Sequence, residues 1–134
     1  MRIVGGEFRG RPLKGPSSMA VRPTSDRLRE SLFNILAHGF DGVLEGARVI
    51  DLFAGTGALG LEAASRGAVQ VIALESDAEL VRALQQQAEK LKASMLQVQR
   101  TDAVAAMQRL AAGAFDVVFL DPPFDGPWFE PALQ

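Results

Sequence analysis

Cysteine is absent from the 134 residues, which excludes disulfides and thiolate metal sites as stabilisers and fits a reducing compartment. His38 is the single imidazole, so a histidine-rich metal centre is excluded as well, and no metal is expected. No apolar run approaches the roughly 18 residues of a membrane span, and the opening MRIVGGEFRGR lacks the apolar block of a secretory signal. A cytoplasmic protein without membrane contact is the expectation. Charged residues at 22% against 48% hydrophobic exclude a disordered chain, and the length is one domain's worth.

A formal net charge of -2 conceals an asymmetry. Residues 1–30 carry seven basic groups (Arg2, Arg9, Arg11, Lys14, Arg22, Arg27, Arg29) against three acidic ones (Glu7, Asp26, Glu30), so the rest of the chain is acidic. A basic arm on an acidic body suits a polyanionic partner met at one end of the molecule, because attraction to phosphate is local and independent of base sequence. An ordinary solvated surface would give the same count.

The hydropathy pattern places these features. RIVGGEFRGRPL, broken by Gly5, Gly6 and Gly10, predicts a small twisted hairpin, followed by a Gly/Pro/Ser-rich connection. Leu28, Leu32, Ile35 and Leu36 recur at helical spacing and predict an amphipathic helix over 25–37, with Arg27 and Arg29 outside its apolar stripe. Strands are predicted over 48–53, 69–75, 95–100 and 115–121. Between them fall a helix from Ala58 to Arg66 ended by Gly67, a helix capped by Ser76 or Asp77, and a helix from Asp102 to Ala112 ended by Gly113. Strands alternating with helices mean an α/β fold, a doubly wound and mostly parallel sheet.

Such a sheet binds ligands at the carboxyl ends of its strands, near the point where strand order reverses. DLFAGTGALG (51–60) sets Gly55, Gly57 and Gly60 in G-x-G-x-x-G spacing, which permits a tight turn and close backbone approach to a ligand at a helix N-terminus. Alone, the string also fits a purely structural turn. Glu75 ends the second strand twenty residues beyond Gly55, where a carboxylate can accept both hydroxyls of a ribose. Asp102, in RTDA, follows the third strand beside the place of an adenine. A solvated carboxylate and a helix cap are the plainer explanations of these two, and a cap can still adjoin a ligand.

The fourth strand separates two nucleoside-binding classes. A nicotinamide dehydrogenase has no evident use for Asp121-Pro122-Pro123-Phe124, whereas methyl transfer to an aromatic amine does. An exocyclic amine delocalises its lone pair into the ring and stays a poor nucleophile until acceptors hold its hydrogens. Asp121 supplies one acceptor. The prolines fix their own φ and leave the carbonyl of Pro122 as the other, while Phe124 offers a face on which an extruded base can stack. No tuned general base is needed, because a sulfonium donor is already activated and positioning is the main task. A simple turn is the plainer reading of Asp-Pro-Pro.

RPTSDRLRESLFNIL (22–36), DLFAGTGALGLEAASRGA (51–68) and DPPF (121–124), in this order and spacing, resemble the bacterial 16S ribosomal RNA guanine-N2 methyltransferase family, which uses S-adenosylmethionine. The resemblance runs from Met1 to the end and implies a Rossmann-like class I methyltransferase fold. It implies a basic β-hairpin and linker over 1–23, serving as an RNA-binding extension, and a methyltransferase domain over 24–134. The implied reaction is methyl transfer to the N2 of one guanine in 16S rRNA within an assembling small subunit. Asp51, Phe53, Ala54, Gly55 and Gly57 would then hold the methionine part, Glu75 the ribose, Asp102 and Ala103 the adenine, and Asp121 to Phe124 the target base, with Thr56 and Ser76 also among the cofactor-binding residues. Arg2, Arg9, Arg11, Lys14, Arg22 and Arg27 would meet RNA; Arg22 and Thr24 match a family segment near either the cofactor or the RNA backbone.

Against the family's strand order of 3-2-1-4-5-7-6, the sequence stops soon after strand four. The expectation is a truncated chain, lacking its C-terminal strands, with an open fourth strand through which it could dimerise. Two further functions fit the same motifs: a methyltransferase for another amine, such as adenine N6 in DNA, and a non-catalytic RNA-binding remnant.

Overall fold

A computed structural model describes residues 2–13, 26–39, 44–102, 105–106 and 114–120 of the chain. Four short apolar segments pair in parallel: β1 (Arg48–Asp51), β2 (Gln70–Glu75), β3 (Leu96–Arg100) and β4 (Val117–Phe119), in the order β3-β2-β1-β4. The order reproduces the first four places of the resembled family. Helices α2 (Ala58–Ser65) and α3 (Ala78–Leu91) carry the chain outward from β1 to β2 and from β2 to β3, and the chain then returns to the other side of β1 as β4. The reversal point therefore lies between β1 and β4.

β1 is shorter than the predicted 48–53, and its hydrogen bonds give the reason. Leu52 N–H still donates to Phe119 O on the β4 side (3.0 Å), whereas Ala54 N–H donates to Leu74 O on the β2 side (2.9 Å). Between them, Phe53 N–H turns inward to the Asp51 carboxylate at 3.2 Å, a local Asx bond that competes with the ladder. At the start of β4, the Asp116 carboxylate accepts from the Arg48 N–H at 2.9 Å while the Asp116 N–H donates to Arg48 O at 2.8 Å, a pair of bonds that ties the two strand starts together.

α2 is buried on every side. It packs on β1, β2 and β3, and Gly60 lets it sit close, since a Cβ there would lie 3.2 Å from Val71 Cγ1. Its other side is covered by residues 2–13 and by α1 (Asp26–Gly39). The predicted hairpin reduces, among the described residues, to one antiparallel bridge between Arg2 and Pro12, closed by Ile3 N–H to Arg11 O and Gly10 N–H to Ile3 O. Ile3, Phe8 and Leu13 point inward and join the main apolar core with Leu61, Val71 and Leu84.

The orientation of α1 departs from its predicted stripe. Arg29 is fully buried, while Leu28 and Ile35 are 62% and 57% exposed. The helix turns Arg29 and Phe33 inward, with Leu32 and Leu36 partly covered. Hydropathy places an arginine outside, but Arg29 meets a buried carboxylate, Glu62, at 3.2 Å. Phe33 stacks obliquely on Phe119 of β4 (ring centroids 5.6 Å apart) and lies under the Arg66 guanidinium at 5.4 Å.

Candidate functional site

The carboxyl ends of β1, β2 and β3 are drawn together by a chain of short bonds. Past Asp51, the chain bends at Gly55 (φ 56°) and Gly57 (φ 83°), with Gly57 N–H donating to Ala54 O at 2.7 Å. Both angles belong to the left-handed region that side chains disfavour. Gly57 is the N-cap of α2 and no side chain caps that end, which leaves its first N–H groups toward the loop. Position 57 has a second constraint: a Cβ would lie 2.2 Å from Leu84 Cδ1 of α3.

Glu75 organises the centre. One carboxylate oxygen accepts from Gly55 N–H and the other from Asp77 N–H, each at 2.9 Å, so a single side chain joins the glycine loop to the start of α3. Each oxygen retains a second acceptor position suited to a hydroxyl. Asp77 in turn caps α3 by accepting from Glu79 N–H (2.8 Å) and Leu80 N–H (3.1 Å), settling the choice between Ser76 and Asp77. Thr101 N–H reaches Glu75 O at 3.0 Å and Arg100 Nε reaches Ser76 O at 3.2 Å, which seats Asp102 beside the end of β2. Asp102 O accepts from Ala106 N–H at 3.0 Å, while most of the helix predicted over 102–112 lies outside the described residues.

Asp51, Phe53, Ala54, Gly55, Thr56, Gly57, Glu75, Ser76 and Asp102 thus occupy one rim of the sheet. Asp51 is 1% exposed, Glu75 half-buried and Asp102 exposed, so the described rim is acidic and suits a ligand carrying positive charge and hydroxyls. A separate shallow groove of about 380 Å3 lies between the end of α3 and β3, lined by Ala88, Ala93, Leu96 and Val98 among others, and shares no residue with the rim. Ala103, Lys14, Arg22, Thr24 and the whole of Asp121-Pro122-Pro123-Phe124 lie outside the described residues, as do Trp128 and Phe129. Of the arginines expected to meet RNA, Arg2, Arg9 and Arg11 lie on the segment laid over α2, and Arg27 is exposed on α1.

Sequence reasoning missed a polar cluster behind the rim. The buried carboxylate of Glu62 accepts from four donors: Val4 N–H and Arg29 Nε on one oxygen (2.9 and 3.2 Å), Gly5 N–H and Arg66 Nε on the other (both 2.9 Å). Arg29 also donates to Arg2 O. Three residues on, Ser65 accepts from Phe8 N–H at 2.8 Å and donates to Gly5 O at 2.5 Å, while its own carbonyl accepts from Glu7 N–H at 2.7 Å. The available signal was a glutamate and a serine within an otherwise apolar ALGLEAAS, facing a Gly-Gly pair far upstream.

The whole chain, residues 1–134, matches the family described as Conserved hypothetical protein 95. It is 42% identical over 124 residues to "Ribosomal RNA small subunit methyltransferase D" of Escherichia coli K12, covering 92% of this chain and 60% of that protein. It is 39% identical over 127 residues to the protein of the same name from Haemophilus influenzae, covering 92% and 64%. The chain therefore spans about six-tenths of the length of these curated relatives. Among solved structures, the Escherichia coli protein YhhF superposes with a TM-score of 0.81 at 38% identity over 99% of this chain and 69% of that one. A hypothetical protein from Thermus thermophilus gives 0.81 at 34% identity, over 99% and 77%. With its parallel sheet, its glycine bend and this likeness along its length, the chain has the class I methyltransferase fold and belongs to the Conserved hypothetical protein 95 family, alongside the small-subunit ribosomal RNA methyltransferases D.

Proposed function

We propose that the chain carries out S-adenosylmethionine-dependent methyl transfer to the exocyclic N2 amine of a guanine in 16S ribosomal RNA, presented by an assembling small subunit. The observation that carries this reading is the pair of bonds made by Glu75, which hold the glycine loop and the end of β2 at one rim while each carboxylate oxygen keeps an acceptor position for a ribose hydroxyl. The residues fit the cofactor. The uncapped start of α2 suits a carboxylate, the acidic rim suits the ammonium and sulfonium charges, and the glycines leave room for backbone approach. Asp51, Phe53, Ala54, Gly55, Thr56 and Gly57 would hold the methionine part, Glu75 and Ser76 the ribose, and Asp102 with Ala103 the adenine.

When bound, the cofactor supplies a methyl group made electrophilic by the sulfonium. Asp121 and the Pro122 carbonyl accept from the two hydrogens of the guanine amine and free the nitrogen lone pair, and Phe124 stacks on the base. With the amine so held, its surplus proton would pass to solvent after transfer, and no tuned general base would be needed among these residues. Arg2, Arg9, Arg11, Lys14, Arg22 and Arg27 meet the RNA phosphates. The relatives named for ribosomal RNA methylation support the substrate class.

Transfer of a labelled methyl to purified small-subunit particles lacking the modification tests the reading, with digestion to nucleosides to identify the product. N2-methylguanosine from wild type and none from Asp121→Ala is the expected result. Label on N6-methyladenine in DNA offered as acceptor in a parallel reaction would move the reaction to another amine. RNA binding without any transfer would leave a binding module.

A further inference from the structure

The side-chain bonds of the buried Glu62 carboxylate go to Val4, Gly5, Arg29 and Arg66 and to none of the rim residues, which points to a different task. Four donors converge on one carboxylate, and two of them are the consecutive backbone N–H groups of Val4 and Gly5. Ser65 adds three bonds to residues 5–8. Gly5 and Gly6 make this contact possible: a Cβ at Gly6 would lie 1.9 Å from Ser65 O, on a backbone at φ +78°. Beyond the clamp, Phe8 is buried as an anchor while Arg9 and Arg11 on either side of Gly10 are exposed. The turn that carries them is closed by Arg9 N–H to Gly6 O and Arg11 N–H to Phe8 O. Among the described residues neither guanidinium is paired with a carboxylate. Glu62 stands five residues beyond Gly57, the N-cap of α2, about 7.5 Å along the helix axis.

We infer that Glu62 is a positioning residue for RNA engagement: through α2 it holds the turn of residues 6–11 rigidly, so that Arg9 and Arg11 form a preorganised phosphate contact in fixed register with the glycine loop. This rests on the RNA methyltransferase reading. A turn fixed before binding loses less freedom when it meets the backbone of a nucleic acid than a loose basic arm would. The pairing of buried Arg29 and partly buried Arg66 with Glu62 supplies the rigid base, since loss of either guanidinium would leave a fully buried carboxylate with less of its compensating charge.

The test uses the full chain and a short labelled single-stranded RNA, with affinity measured across a salt series. Gly6→Ala lifts the turn from Ser65 while every arginine remains, and Glu62→Gln removes the charge of the clamp. Either variant is expected to bind RNA about tenfold more weakly. The slope of log affinity against log salt is expected to fall by about 1.4, two phosphate contacts at about 0.7 each on a single strand. Hydrogen exchange should lose protection at the Val4 and Gly5 amides, with S-adenosylmethionine affinity unchanged. Arg9→Gln/Arg11→Gln should lower the slope equally, and adding Gly6→Ala to that pair should cost nothing more. Should Glu62→Gln fail to fold, Gly6→Ala carries the test alone. Unchanged affinity and slope in Gly6→Ala, or full additivity with the arginine pair, overturns the positioning role while the RNA reading stands. Absence of salt-dependent RNA binding by wild type overturns both.

Discussion

Gly57→Ala probes the glycine loop at its tightest point. The native φ of 83° places an alanine in the left-handed region, at about 1–2 kcal/mol. The new methyl would also lie 2.2 Å from Leu84 Cδ1 and 2.9 Å from Cδ2. Leu84 is 2% exposed and packed in the main core, so it cannot swing into water, and the overlap adds about 1–3 kcal/mol. Together the terms give about 2–5 kcal/mol, a large share of the roughly 5–15 kcal/mol that holds a domain of this kind. Thermal melting followed by circular dichroism should show a drop on the order of 10 °C. Leu84→Ala alone opens a core cavity, at about 2–5 kcal/mol. The two substitutions occupy the same space, so the double variant should be about 1–3 kcal/mol more stable than the sum of the singles requires. Additivity within about 0.5 kcal/mol would show that the two side chains never meet, and would refute the packing of the loop against α3.

Glu75→Gln keeps the shape but replaces an acceptor oxygen by a donor NH2, so one of the bonds from Gly55 and Asp77 must be lost. Calorimetric titration should show S-adenosylmethionine affinity reduced about tenfold or more. Asp77→Ala removes the side-chain N-cap of α3 and should lower stability by about 1 kcal/mol in urea unfolding, leaving the unfolding slope unchanged. Asp116 is held below its ordinary pKa of 3.8, first by the Arg48 backbone N–H and then by the Arg48 guanidinium. A depressed folded-state pKa means a contribution present above the unfolded value and lost as pH falls through the folded one. Wild type should therefore exceed Asp116→Asn slightly at pH 7, and the two melting curves should converge in strong acid.

The strands were legible because a sheet packed on both faces writes itself as short β-branched apolar runs, and RVID, QVIALE and VVF do so plainly. The glycine spacing and the acidic end of β2 were legible for a related reason, since the turn and the residue facing it are close in sequence. α1 was misread where its determinants are distant. Its orientation follows from Arg29 finding Glu62, thirty-three positions away, and hydropathy counts such an arginine as solvent-facing. Gly5 and Gly6 suggested a hairpin, and they also serve close approaches, Gly6 to Ser65 and Gly5 to the Arg66 guanidinium, that only the folded chain reveals. The trimmed end of β1 reflects the Asp51 side chain capturing the Phe53 amide, a choice that strand propensity does not register.

α2 has no face left to water. A surface helix such as α3 can exchange its outward residues, Arg82 or Gln86 for instance, with little effect, but every replacement in ALGLEAAS must be matched by a neighbour. A saturation scan should therefore show eight consecutive intolerant positions there, against a periodic pattern of tolerance along α3. Sequence drift in this protein is channelled away from its centre, and stabilising variants are best sought on α3.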